Sequence, residues 1–194
     1  MVAELTIEPA KTALVVIDLQ LGIVAFPAAP HPAAEVVRNA ANLARALRGA
    51  GGTIVFVHIT PSADGRDGLR PITDEVPPAG RPLPPPDWAD FAPELGIEPS
   101  DILIGKRQWG AFYGTELDLR LRRRGVDTII LCGISTTLGV ESTARDAFER
   151  GYNQIFVEDA MAAREAEDHR HAMVSVFPRI GRVRSTEEVI AAIK

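Results

Sequence analysis

Five short runs of aliphatic and β-branched residues, separated by helix-patterned stretches, constrain this chain more than any other feature. Thr12–Leu19 reads TALVVIDL, Thr53–Ile59 reads TIVFVHI, Asp101–Ile104 reads DILI, Thr128–Cys132 reads TIILC and Gln154–Val157 reads QIFV. Each run is continuously apolar instead of alternating, the pattern of strands covered on both faces in a parallel sheet. Val36, Ala40, Leu43 and Leu47 recur at helical spacing before a Gly51-Gly52 stop. Thr115 is placed to cap a helix over Glu116–Arg124, with Gly125 just beyond. Val140, Ala144, Ala147 and Phe148 stripe a further helix that stops at Gly151, and Glu165–Val176 and Thr186–Ile193 carry weaker helical patterns. Strand–helix–strand repetition of this kind predicts a doubly wound, mostly parallel sheet in a three-layer α/β/α sandwich.

A chain of 194 residues suits one compact domain, taken here as 1–194. One segment departs from the pattern. Pro61 to Pro93 contains PPAGRPLPPP and little periodicity, so a lid, a binding loop or an oligomer arm is expected there. A net charge of −5 argues against a nucleic-acid groove, and the basic run Arg122-Arg123-Arg124 closes a predicted helix, where it complements the helix dipole. The single cysteine, Cys132, has no internal disulfide partner, which fits a reducing compartment. With no signal-like or membrane-spanning apolar stretch, a soluble cytoplasmic protein is expected.

Ligands of open parallel sheets bind beyond the carboxyl ends of the strands. Asp18 ends the first run after four apolar residues, a costly place for a carboxylate unless it is paired or used. His58 lies near the end of the second run, and Lys106, after the third, is the natural partner for Asp18. The fourth run leads into GISTTLGVEST at Gly133–Thr143, a strand-to-helix turn able to direct backbone N–H groups at an anion.

Together these residues resemble the isochorismatase-like hydrolase superfamily, which includes nicotinamidases, N-carbamoylsarcosine amidases and isochorismatases. The resemblance rests on TALVVIDLQ at Thr12–Gln20, KRQWGAFYGTEL at Lys106–Leu117, LCGISTTLGVESTARDAFERGY at Leu131–Tyr152 and EDAMAA at Glu158–Ala163. It implies a parallel sheet of about six strands, Asp18 as acid/base and Lys106 as its partner. It further implies a cis peptide at Ile134–Ser135, with the N–H groups of Ser135 and Gly139 forming an oxyanion hole. Amidases of the family carry cysteine where this chain has Gly139. Cys132 lies seven residues earlier, in a strand, and reads as a small buried hydrophobe. Thr136 and Thr137 are nearby hydroxyls with no histidine base positioned in sequence, so Thr136 reads as loop support.

Isochorismatases also have glycine at this position. They cleave a vinyl ether by protonating the alkene carbon, so the chemistry survives loss of the thiol. This chain nonetheless reads HITPS, with Thr60, where those enzymes place a substrate-binding glutamine, and GISTT replaces their turn. Gln20, Phe26, His58, Thr60, Trp109, Phe112 and Tyr113 are the weaker pocket candidates, the aromatics reading equally as packing. Nicotinamidases bind a metal after the second strand; His58, Thr60 and Asp64 lack that pattern, and His169 and His171 read as solvated side chains on a surface helix. No metal or cofactor is therefore expected. The reading is a hydrolase of a small, anionic molecule using Asp18 and Lys106, with an amidohydrolase or a catalytically silent binding or assembly protein as alternatives. The resemblance also implies a homo-oligomer, a dimer or a tetramer.

Overall fold

The computed structural model describes residues 5–74 and 84–194. Strands β1 (Thr12–Ile17), β2 (Thr53–Ile59), β3 (Ile102–Lys106), β4 (Thr128–Ile134), β5 (Asn153–Ala162) and β6 (Arg182–Arg184) form one sheet in the order β3-β2-β1-β4-β5-β6. Every pairing is parallel. β1, at the centre, is buried along its whole length, which is why its sequence shows no polar alternation.

Successive side chains of a strand point to opposite faces, and each face has its own helices. Leu14, Val16, Phe56, Ile130 and Cys132 pack under α2 (Ala33–Gly49) and α6 (Thr186–Ala192). Ala13, Val15, Ile17, Val55, Val57 and Leu131 pack under α3 (Leu117–Arg123) and α4 (Glu141–Glu149). This is the expected three-layer, doubly wound sandwich. Chain order reverses between β1 and β4, so a crevice opens at the carboxyl ends of those two strands.

The differences from the sequence reading lie at the margins of the sheet. β3 alternates buried and exposed residues because it is an edge strand, and Lys106 is its last residue instead of following it. β6, reading RVR, has no apolar run to reveal it. β5 extends to Ala162 because it resumes pairing with β4 past an irregularity between Leu131 and Gly133. The helix expected over Glu165–Val176 is shorter: α5 (Ala166–His171) passes into a wide turn at Ala172–Val176. Phe148, expected on the buried stripe of α4, is half exposed. The expected helix over Glu116–Arg124 is shorter, with Glu116 and not Thr115 at the N-cap of α3; the Thr115 hydroxyl accepts from Leu117 N–H at 3.2 Å one residue earlier.

The proline-rich segment expected at Pro61–Pro93 falls in part on 75–83, outside the described residues. Its last residues strap the carboxyl end of β1. Trp88 and Asp90 carbonyls accept from Gly22 and Leu21 N–H, and Ala92 N–H donates to the Leu19 carbonyl. Among the described residues, no helix is long and apolar enough to cross a membrane.

Candidate active site

Asp18 follows β1 at the crevice with φ of 54°, a left-handed conformation that costs about 1–2 kcal/mol for a residue with a side chain. Its N–H donates to the Val57 carbonyl at 2.8 Å, which holds the turn against β2. Lys106, at the end of β3, reaches past β2, and its Nζ donates to Asp18 Oδ2 at 2.8 Å and to the Trp109 carbonyl. Both side chains are almost completely buried. Asp18 Oδ1 is buried too and has no hydrogen-bond partner among the described residues. An acceptor left in that state costs about 1–3 kcal/mol, so the second oxygen is either a strain or a tool.

Burial pushes the Asp18 carboxyl up to about 6 from its ordinary 3.8, against the opposing pull of the Lys106 charge. Burial also lowers the Lys106 ammonium, against the opposing pull of Asp18. The lone carboxylate therefore sits near the pKa at which it can give or take a proton close to neutrality.

The turn after β4 closes over this pair. Gly133, at φ of 124°, lies so near β1 that a Cβ would come within 2.0 Å of the Ile17 carbonyl oxygen. The peptide bond between Ile134 and Ser135 is cis. The wide turn Thr136–Val140 then sets Gly139 against the ion pair: a Cβ there would lie 2.8 Å from Asp18 Oδ2, 2.9 Å from Ile17 Cγ2 and 3.4 Å from Lys106 Nζ. The backbone of Gly139 is not left-handed. A side chain at this position would require the Asp18 carboxylate and the Ile17 methyl group to shift, whereas the conformation of the turn itself allows one.

A cleft of about 460 Å³ borders the same turn. Ile23, Phe26 and Ala28, which follow β1, line it together with Ser135 and Leu138 of the turn and with Arg164 and Glu165. Arg164 was not legible in the sequence, because it follows the last residues of an extended β5 that apolar patterning did not predict.

The remaining expected residues divide by what they touch. Gln20 is fully buried: Ile59 N–H donates to its Oε1 at 2.8 Å, and its Nε2 donates to the Trp88 carbonyl at 3.1 Å, so its amide clasps β1, β2 and the strap. His58 bonds the Ala89 carbonyl through Nδ1 at 2.7 Å and stacks on Phe91 with centroids 4.3 Å apart. Thr60 accepts from Arg107 Nη1. Trp109 and Tyr113 are exposed, whereas Phe112 is buried and stacks on Tyr152, which is the packing alternative of its reading. Cys132 lies in the core on the α2 face, where burial pushes its thiol far up and disfavours the thiolate. Iodoacetamide is accordingly expected to leave the folded protein unlabelled and fully active, and to label Cys132 only after denaturation, as peptide mass analysis would show.

His169 corrects the reading of a solvated surface histidine. It is buried, and its Nδ1 lies 2.9 Å from the hydroxyl of Thr136, while His171 is exposed as expected. A histidine does therefore face Thr136, although the two are 33 residues apart. The hydroxyl is sealed from solvent, which suits support of the turn better than attack on a substrate.

Comparison with known proteins agrees with this architecture. The Isochorismatase domain family model matches residues 12–188. The chain is 50% identical over 194 residues to the uncharacterized isochorismatase family protein YwoC of Bacillus subtilis, covering all of both proteins. It is 30% identical over 181 residues to the ureidoacrylate amidohydrolase RutB of Stutzerimonas stutzeri, covering 80% of this chain and 71% of that one. The structure of an isochorismatase family protein from Burkholderia thailandensis superposes with a TM-score of 0.92 at 44% identity, over 98% of this chain and 99% of that one. With the family model matching residues 12–188 and relatives of this similarity covering the whole chain, the chain belongs to the isochorismatase family and is a hydrolase.

Proposed function

We propose that this hydrolase acts on a small anionic substrate through acid catalysis by Asp18, with no covalent nucleophile, and that a vinyl ether is the substrate class its site fits. The observation that carries this reading is Asp18 itself: one oxygen held by Lys106, the other buried and unpaired, and Gly139 pressed where a nucleophilic side chain would stand. In the proposed reaction the Asp18 carboxyl gives its proton to the alkene carbon. The π pair forms the new C–H bond, and the ether oxygen shares the resulting positive charge as an oxocarbenium ion. Water adds to the other alkene carbon, the one bonded to that oxygen, and returns a proton to Asp18; the hemiketal then passes its hydroxyl proton to the ether oxygen and releases the alcohol. Lys106 orients Asp18 and limits how far burial raises its pKa. Arg164, which lines the cleft beside Glu165, is assigned to the anionic group of the substrate, and the Ser135 and Gly139 N–H groups are assigned to the same standing charge, since the oxocarbenium route develops positive and not negative charge.

A second reading has a specific observation behind it. RutB is an amidohydrolase by its name, and Asp18 ionised at neutral pH could activate water for attack on a C–N carbonyl. The pH profile separates the two. Acid catalysis needs protonated Asp18, so kcat/KM falls as pH rises through about 6. Base catalysis needs the carboxylate, so the same limb rises. A turnover screen of enol ethers and small amides, followed by that profile on whichever is cleaved, decides between them: enol-ether cleavage with a falling limb is expected, and amide cleavage with a rising limb would replace the proposal.

The described end of the proline-rich segment, which straps the residues after β1, is assigned to covering that side of the site, as a lid or as an arm toward a second copy. The exposed Trp109 and Tyr113 are assigned to contact with a second copy of the chain.

A further inference from the structure

We propose that His31, Glu158 and His169 form a binding site for a divalent transition-metal ion of the zinc class, separate from the Asp18 pair. The three residues come from different elements: the loop before α2, the middle of β5, and α5. One ligand atom from each lies within 4.8 Å of the other two. His31 Nε2 is 3.0 Å from Glu158 Oε1, and His169 Nε2 is 3.4 Å from the same oxygen. Around a tetrahedral zinc ion with bonds of about 2.0–2.1 Å, neighbouring ligand atoms stand about 3.3 Å apart. Both observed separations fall within a few tenths of an ångström of that edge.

The far side of the His169 ring is also held as in metal-binding histidines: its Nδ1 hydrogen-bonds the Thr136 hydroxyl at 2.9 Å, which turns Nε2 toward Glu158 as outer-shell groups orient imidazoles around an ion. His31 Nδ1 faces Glu35 Oε1 at 3.8 Å, beyond hydrogen-bond distance, and its orientation rests on the contact of Nε2 with Glu158. Two imidazoles and one carboxylate are a common donor set for zinc. The cluster also has a way in: His169 is sealed, but His31 and Glu158 keep 22% and 39% of their side-chain exposure. This leaves one side open for an ion with its remaining water. Because Thr136 begins the turn that carries Gly139, a bound ion would fix that turn through His169.

The alternative is that Glu158 simply accepts hydrogen bonds from two imidazoles. Titration calorimetry of the full chain with Zn2+, after treatment with chelator and exchange into non-chelating buffer at neutral pH, distinguishes the two. One ion per chain is expected, and Co2+ in its place should give the strong visible absorption of four-coordinate cobalt. His31→Ala and Glu158→Gln alter partly exposed side chains and should retain the native circular dichroism while weakening Zn2+ binding at least about tenfold. His171→Ala, on the same helix but exposed, should bind like the parent. No saturable binding, or binding unchanged in both His31→Ala and Glu158→Gln, would overturn the site.

Discussion

Replacing Asp18 with asparagine is expected to lower kcat by about 10²–10⁴-fold, the span that a positioned acid or base contributes, while the fold persists. Asparagine preserves the shape of the side chain and a carbonyl acceptor for Lys106, but it has no carboxyl proton to deliver. Stability should shift in a direction that identifies the group responsible. The Asp18 carboxyl is raised in the folded protein to about 6, above its ordinary 3.8. The folded state therefore binds this proton more tightly than the unfolded chain does. That contribution is fully present below the unfolded value and is lost as pH rises through the folded one. Asp18→Asn removes this loss. It also leaves Lys106 buried without its counter-charge, which favours the deprotonated amine and makes the variant gain stability with pH. Both effects have the same sign, so the stability of wild type relative to the variant should fall between about pH 4 and pH 7 in urea titrations. A difference that is flat or rises across that range would mean that Asp18 is not the raised carboxyl. Retained turnover would mean that the acid lies elsewhere.

Much of this site is legible from the chain alone, for one physical reason. A carboxylate placed directly after a run such as LVVI is costly in the core, so the sequence itself marks Asp18 as a paired or working group. Lys106 follows from the same logic, since a buried carboxylate near a strand end calls for a cation from a neighbouring strand end. Gly139 is different. Its absence of a thiol can be read from the sequence, but its distance of contact with Asp18 depends on how the turn after β4 folds back.

What stayed hidden has an equally definite cause. His169 looks solvated because its helix is flanked by charged residues, EAEDHR, and nothing local shows that one face turns toward Thr136. His31 and Glu158 are 127 residues apart, and only the return of β5 past the loop before α2 brings them together. Phe112 could be read as either wall or core, and its stacking on Tyr152 arises from a second strand–helix unit. β6 has three residues and two arginines, so its place at the sheet edge comes from backbone pairing with β5 and not from apolar content. Periodicity finds elements that bury a face; it does not find contacts made between their ends.

Lys106→Met supplies the complementary test and should be the more damaging to the fold. Methionine fills most of the aliphatic path of lysine but abandons Asp18 in a site where its second oxygen already lacks a partner. Removing one member of a buried ion pair costs about 3–5 kcal/mol when the other must stay charged. Asp18 can escape part of that cost by taking up a proton, because burial, which already raises its pKa, would then act without the opposing lysine charge. The destabilisation should therefore be larger at about pH 8, where protonation is expensive, than at about pH 5, where it is nearly free. The same shift carries into catalysis. If the falling limb of kcat/KM reports protonated Asp18, it should move to higher pH in Lys106→Met, even though loss of orientation lowers its height. An increase in destabilisation with pH but an unmoved limb would separate the two roles: Lys106 would still balance a buried charge, but the acid in the reaction would not be Asp18. A limb displaced to lower pH would contradict the electrostatic account of the pair itself, since removal of a cation can only make a neighbouring carboxyl harder to ionise.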